Sequence, residues 1–172
     1  ILIKTLKSIF AVLHSNATPT QIGCGVVLGS FLGLAPFFCL HKLFIFLLII
    51  LLNVNIGAAF LSILIFSLVG LLVDPLAHQV GYALLVKTTI LTNLWTALYN
   101  TPIIPFTKFY NTVVMGGFVI NLIIALPVFL LSKKFVVYYR EHWAKKIENW
   151  KVMRYFKLTK VFNIYSGCQS GG

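Results

Sequence analysis

The chain has 172 residues, of which 59% are hydrophobic and only 10% charged, whereas a soluble domain carries about a quarter charged residues. Against 14 Lys and Arg stand three acids, Asp74, Glu141 and Glu148, for a formal charge of +11. This excludes a soluble globular fold and, because the basic residues bracket apolar spans, a nucleic-acid-binding role. It predicts a membrane protein anchored on the cytoplasmic face by the positive-inside rule and by anionic headgroups.

Residues 1–17 place Ile3, Leu6, Phe10 and Leu13 on one helical face and Lys4 and Lys7 toward another, the pattern of an amphipathic interfacial helix. No long apolar core follows the two lysines before Pro19, so no cleavable signal peptide is predicted.

A membrane domain follows over residues 18–132, opening with TPTQIGCGVVLGSFLGLAPFFCLHK. Thr18 as N-cap, Pro19 at the first helical position and Gln21 closing a capping box signal a helix start. Gly25, Gly29 and Gly33 recur every four residues, which puts them on one face as a groove for close approach of another helix. Pro36 interrupts the helix as a hinge, since it lacks an N–H and clashes with the preceding turn. Just beyond it, His41 and Lys42 sit between apolar residues, where polar groups persist only if protein or water satisfies them. The legs at 19–36 and 43–52 both fall short of the roughly 20 residues that cross a hydrocarbon core of about 30 Å. A broken or re-entrant hairpin with its polar end in a cavity is expected. The alternative is two short, tilted full spans with His41 and Lys42 at the surface.

Residues 56–73 are uncharged and long enough to span, with Gly57, Ala58, Ala59 and Gly70 suited to close packing. Asp74-Pro75 then predicts a new helix with Asp74 as its N-cap, and His78 lies one turn up the same face. Asp74 is the only acid outside the basic tail, hence the only carboxylate able to balance Lys42. His41, Lys42, Asp74 and His78 therefore form a candidate intramembrane polar site. The plainer alternative is a helix cap beside a headgroup-level histidine.

Residues 76–110 read as interfacial helices and loops: Trp95 and Tyr99 suit the water–membrane boundary, and Pro102 and Pro105 prevent a continuous helix. Residues 112–131 form the clearest span. Their VVMGGF at 113–118 echoes VVLGSF at 26–31, the pattern of a degenerate internal repeat or of chance.

From 133 to 165 a basic amphipathic helix is expected, with Val136, Tyr139, Trp143, Ile147 and Trp150 at helical spacing. Lys133, Lys134, Arg140, Lys145 and Lys146 are its anionic-lipid contacts, at about 1 kcal/mol per cation near the surface. The alternative is a solvated helix docked on a protein. Residues 166–172 are a flexible tail. Both ends are thus predicted cytoplasmic, with two or four crossings between them. The expected fold class is an all-α integral membrane protein: a Gly-rich broken or re-entrant hairpin, at least two full transmembrane helices, and amphipathic interfacial helices at both ends.

One ordered set of short motifs carries a family resemblance. The Gly-x-x-x-Gly-x-x-x-Gly-x-x-Pro run is followed by Leu40-His41, Asn53-Val54-Asn55 with Ala58-Ala59, and Asp74-Pro75-Leu76 with His78. Then come Leu94-Trp95-Thr96, Leu98-Tyr99-Asn100-Thr101-Pro102 and Asn111-Thr112-Val113-Val114. Over residues 4–139 the chain resembles a bacterial inner-membrane family known as domain of unknown function 2062, in its small stand-alone branch. It departs at Asp74-Pro75, where many relatives have Asn-Pro. The resemblance implies a helical inner-membrane protein and brings no activity with it.

Nothing points to an enzyme. Asp74 and His78 lack a nucleophile on a strained Gly-x-Ser-x-Gly turn, and phosphate loops are absent. Cys24, Cys39 and Cys168 share no metal-ligand spacing, so no metal, cofactor or disulfide framework is expected. The expected function is a subunit of an envelope complex that handles lipid or another amphiphile, with membrane lipids and a larger envelope protein as partners. The alternatives are a small solute or ion transporter using the intramembrane polar residues, and an anchor or scaffold for a larger envelope protein.

Overall fold

A computed structural model describes residues 12, 13, 15–35 and 39–143. Most of the expected N-terminal amphipathic helix lies outside the described residues. So do Pro36 and, in the basic region, Lys145, Lys146 and the tail.

The α-helices that lie wholly among the described residues are, in order, α1 Pro19–Leu34, α2 Leu40–Leu51, α3 Ile56–Tyr82, α4 Thr92–Tyr99 and α5 Thr112–Tyr138. Helices α3 and α5 each run on into a π-helical turn, Ala83–Lys87 and Tyr139–Trp143. Short side chains set the starts. Gln21 N–H donates to Thr18 Oγ1 over 3.2 Å while Thr18 N–H donates to Gln21 Oε1 over 2.8 Å, a complete capping box. Asn55 Oδ1 accepts from Ala58 N–H at the start of α3, and Asn111 Oδ1 accepts from Val113 and Val114 N–H at the start of α5.

Helix α3 does not stop at Asp74-Pro75, where the sequence predicts a new helix; it passes through without a break. Pro75 withholds one N–H, that which would reach the Leu71 carbonyl. Apolar helices tolerate such a loss when neighbours hold the chain straight. Here the next turns, at Ala77 and Gly81, lie backbone to backbone against α5.

Three helices, α1, α3 and α5, form the core. A Cβ at Gly25 would stand 2.6 Å from the Asn55 carbonyl oxygen, and one at Gly33 would stand 2.7 Å from Phe66 Cβ. Between them, a Cβ at Gly29 would overlap the Ala59 carbonyl. The partners advance together, so α1 and α3 run parallel. Against α5 the order reverses: Gly23 faces Phe129, Ser30 faces Asn121, and the Leu34 carbonyl faces Gly117. Helices α3 and α5 run antiparallel, crossing where Gly116 meets the Ala77 carbonyl and Gly81 meets that of Thr112. Only glycine permits such approach, because any side chain would separate the backbones.

The result inverts a soluble core. Small residues fill the interior, among them Ala58, Ala59, Ala77, Ser30 and Ser62, while Leu64, Leu68, Leu72, Leu122, Ile123 and Leu131 face outward. Soluble proteins bury such large side chains. The two continuous helical stretches Ile56–Lys87 and Thr112–His142 are long and apolar enough to cross a membrane, and only 22% of each apolar window is buried.

The α1–α2 pair is shorter. Its helices have 16 and 12 residues, about 24 and 18 Å at 1.5 Å per residue. Helix α2 buries Ile45 and Ile49 against Leu32 and Ala59. The turn after α2 returns the chain to the start of α1, where Asn55 N–H donates to the Gln21 carbonyl over 3.1 Å. The pair is thus a hairpin whose two ends share one side. The end of α1 reaches the level of Gly70 and Gly117, and α3 continues beyond it to Tyr82.

Candidate functional site

Polar side chains gather at three levels of this bundle. The first is the base of the hairpin. Arg140, on the π turn after α5, donates from Nε to the Leu13 carbonyl (3.1 Å) and from Nη2 to those of Ser15 and Ala17 (2.8 Å each). Its planar fork suits several acceptors at once. Asn55 Nδ2 donates to Ser15 Oγ over 3.1 Å, and Ser15 Oγ donates to the Val12 carbonyl over 2.7 Å. The base is a clasp that ties the segment before α1 to the start of α3 and the end of α5. Arg140, expected at anionic lipid, directs its guanidinium to backbone carbonyls instead. Lys133 and Lys134 are exposed.

The second level is the middle of the core. Ser62 Oγ donates to the Val26 carbonyl over 2.6 Å, holding α3 on α1. Ser30 Oγ donates to the Val27 carbonyl over 2.7 Å and lies 3.0 Å from Asn121 Oδ1 on α5. Asn121 is fully buried, and its Nδ2 has no hydrogen-bond partner among the described residues. One hydroxyl proton serves one acceptor well. Turning the amide over would let Nδ2 donate to Ser30 and would leave Oδ1 as the orphan, so either orientation leaves one polar atom unmatched.

The third level is the hairpin tip. His41 lies in the first turn of α2, with Nδ1 3.3 Å from the Thr107 carbonyl and Nε2 3.5 Å from Cys39 Sγ. A carbonyl only accepts, so Nδ1 carries the proton and Nε2 faces the thiol as acceptor. The ring stands edge-on to Phe118 at 6.0 Å, and Phe118 leans on Phe31. Thr107 belongs to the short 3-10 turn Ile104–Thr107, and Lys108 after it adopts a left-handed conformation with φ 55°. The ammonium groups of Lys42 and Lys108 both lie within electrostatic reach of the Cys39 thiol. Beside them an open apolar groove runs along α2, lined by Leu40, His41, Leu43, Phe44, Leu47 and Thr107.

The four residues singled out from sequence are divided between two places. His41 and Lys42 are at the tip. His78 is exposed on α3 with Nδ1 2.7 Å from Thr112 Oγ1, beside the α3–α5 crossing. Asp74 is half-buried on α3, and no ion pair or hydrogen bond joins any two of the four. Gly25, Gly29 and Gly33 line the α1–α3 contact.

Sequence reasoning missed Asn121, Ser30, Thr107 and Lys108. Asn121 carried a signal, because it is the only amide side chain within 112–131 and a polar group there needs a partner. Thr107 and Lys108 carried none, since nothing local marks which distant helix a loop will touch.

These features define a class: a small all-helical protein with a lipid-type exterior, glycine-packed helices and a short hairpin. Within that class, the chain belongs to the family described as "Uncharacterized protein conserved in bacteria (DUF2062)", whose model matches residues 5–145. It is similar to an uncharacterized protein of Treponema pallidum (strain Nichols), with 30% identity over 149 residues covering 86% of this chain and 91% of that one. No solved structure matches.

Proposed function

We propose that this protein is a polytopic inner-membrane subunit of an envelope complex that handles lipid or another amphiphile, with α1–α2 as a re-entrant hairpin entering from the cytoplasmic side. The observation that carries this reading is the hairpin. Its ends stand together, its helices are shorter than a bilayer core, and α2 turns Leu43, Phe44, Leu47 and Ile50 outward below a polar tip. An amphiphile divides its chemistry in the same way, with a polar head on an apolar chain. Lys4 and Lys7 before the clasp, and Lys133 and Lys134 beyond the second span, favour cytoplasmic ends. In this reading a larger envelope protein supplies the energy or the second half of the path.

Transport of a small solute is less favoured. Asp74 and His78 are not joined to Lys42 or His41, and glycine contacts close the core between α1, α3 and α5.

The test is extraction from bacterial inner membranes in mild detergent, followed by native mass spectrometry and identification of copurifying proteins. Retained adducts of phospholipid mass together with an envelope protein are expected. A lipid-free protein overturns the reading, and a lipid-free protein bound to a partner replaces it with the scaffold.

A further inference from the structure

We propose that α1 and α5 are inverted counterparts about the middle of α3, and that the outer half of the bundle rocks against the hairpin along the seam where Ser30 meets Asn121. The inference concerns how the bundle moves and stands whether or not the ligand is an amphiphile.

The echo between VVLGSF at 26–31 and VVMGGF at 113–118 fixes a register. In that register Gly25 corresponds to Thr112, Gly29 to Gly116, Ser30 to Gly117 and Leu34 to Asn121. The contacts obey it. Gly29 lies against the Ala59 carbonyl of α3, and Gly116 against that of Ala77. Gly25 meets Asn55 and Ala58, while Thr112 meets Gly81 and His78. On α3 these partners, Ala59 with Ala77, Ala58 with His78 and Asn55 with Gly81, are each centred on Leu68. Across the α1–α5 seam Ser30 faces Asn121, and the exchanged pair, Leu34 with Gly117, is also in contact. Phe31 and Phe118 are counterparts of each other, and their ring centroids lie 5.7 Å apart. Chance likeness of two apolar hexapeptides would not reproduce contacts outside them. Because α1 and α5 run antiparallel, they form an inverted pair about a pseudo-two-fold axis. In membrane proteins built this way, one half rocks against the other.

Two prolines mark where the halves join. The glycine contacts of α1 with α3 run from Asn55 to Gly70, and those of α5 with α3 lie at Ala77 and Gly81. Pro75 stands between them on an exposed face and withholds the bond to the Leu71 carbonyl. In α5, Pro127 likewise withholds the bond to the Ile123 carbonyl. Helices bend at such positions. The outer half is α3 after Pro75 with α5 before Pro127, locked where Gly81 and Gly116 meet backbone. The hairpin half is α1, α2 and α3 before Pro75. The end of α5 is tied to it, since Val136 and Tyr139 pack with Ala58, and Arg140 holds the carbonyls before α1.

Within each half, glycine lets backbones touch. Between the halves the contact is looser. A Cβ at Gly117 would stand 3.4 Å from the Leu34 carbonyl, an ordinary distance. Asn121 is fully buried there, and its Nδ2 has no hydrogen-bond partner among the described residues. A buried amide left half-satisfied penalises the closed seam, and opening the seam relieves it. The ring contacts of Phe118 with Phe31 and His41 hold it shut.

The test uses the full chain in lipid nanodiscs, with spin labels carried by encoded non-natural residues so that the native cysteines stay in place. One label pair, at Leu43 on α2 and Tyr82 at the outer end of α3, spans the two halves. A second pair, at Leu43 and Leu64, lies within the hairpin half, and all three positions are exposed. Pulsed electron resonance is expected to show two distance populations for the first pair, the minor one on the order of a tenth, and one for the second. Asn121→Leu removes the orphan amide and Pro75→Ala restores the missing bond, so each should reduce the minor population about threefold or more. A single population at Leu43 and Tyr82 overturns the proposal. Equal spread at Leu43 and Leu64 assigns the motion to α2 alone and also overturns it. Pro75→Ala, on an exposed face, decides the matter should Asn121→Leu fail to fold. Survival of the minor population in Pro75→Ala, or in a folded Asn121→Leu, overturns the proposal.

Discussion

The two ends of the α1–α2 hairpin contain similar residues and use them in opposite ways. At the base, polar side chains meet backbone: Arg140 reaches three carbonyls, Asn55 caps α3 and holds Ser15, and Thr18 and Gln21 close on each other. At the tip, one imidazole touches one carbonyl, and an open apolar groove begins beside it. Polar groups in an apolar chain hold structure when the backbone answers them. They become candidates for ligand contact where they border an open groove, as His41 does beside Leu40, Phe44 and Leu47. Helix α2, which leads away from the tip, is thinly packed, burying only Ile45 and Ile49.

The first way to break this comparison is topological and all-or-none. The base should face the cytoplasm, so a reporter fused after Tyr165 should be active in the cytoplasmic form and silent in the periplasmic form. The opposite pattern would turn the molecule over and put the clasp outside.

Between the ends, glycine contacts decide whether the bundle forms. Gly29→Leu should cost at least about 3 kcal/mol, above the common range for overpacking, because even a Cβ there overlaps the Ala59 carbonyl. Gly70→Ala should stay within about 0.5 kcal/mol, since its nearest neighbour would lie 3.5 Å from the new Cβ. Thermal melting in detergent and accumulation in membranes separate the two. Normal accumulation of Gly29→Leu would mean that α1 does not lie against α3 as described.

Opening the base should matter less. Arg140→Gln removes charged donors to three carbonyls. Such bonds contribute about 1.5–3 kcal/mol each when buried, so a partly exposed clasp should lose on the order of 2–3 kcal/mol in total. Arg140→Lys should not restore it, because a single ammonium lacks the planar fork. If lysine rescues the melting temperature fully, charge and not geometry holds the base.

The smallest effect is expected midway. Ser30→Ala removes one interhelical contact to Asn121, and such bonds average about 0.6 kcal/mol in a membrane protein. A double-mutant cycle with Asn121→Ala measures the coupling directly. A coupling above about 2 kcal/mol would make this pair the lock between hairpin and α5, in place of the clasp.

The sequence by itself determined what depends on neighbours within a turn or on bulk composition. Thr18, Pro19 and Gln21 set the start of α1 through hydrogen bonds spanning three residues. The scarcity of charge over 56–73 and 112–131 made two helices able to cross a membrane. Four-residue spacing placed Gly25, Gly29 and Gly33 on one face. Only the tertiary structure decided what those features meet. Asp74-Pro75 carries a strong local start signal, yet packing of Ala77 and Gly81 on α5 keeps α3 whole. His78 turns to Thr112 across 34 positions, His41 to Thr107 across 66, and Arg140 to Leu13 across 127. Helix caps and span lengths follow from local stereochemistry and from transfer of side chains out of water. Partners so distant follow from the path of the whole chain and from which backbones glycine allows to touch.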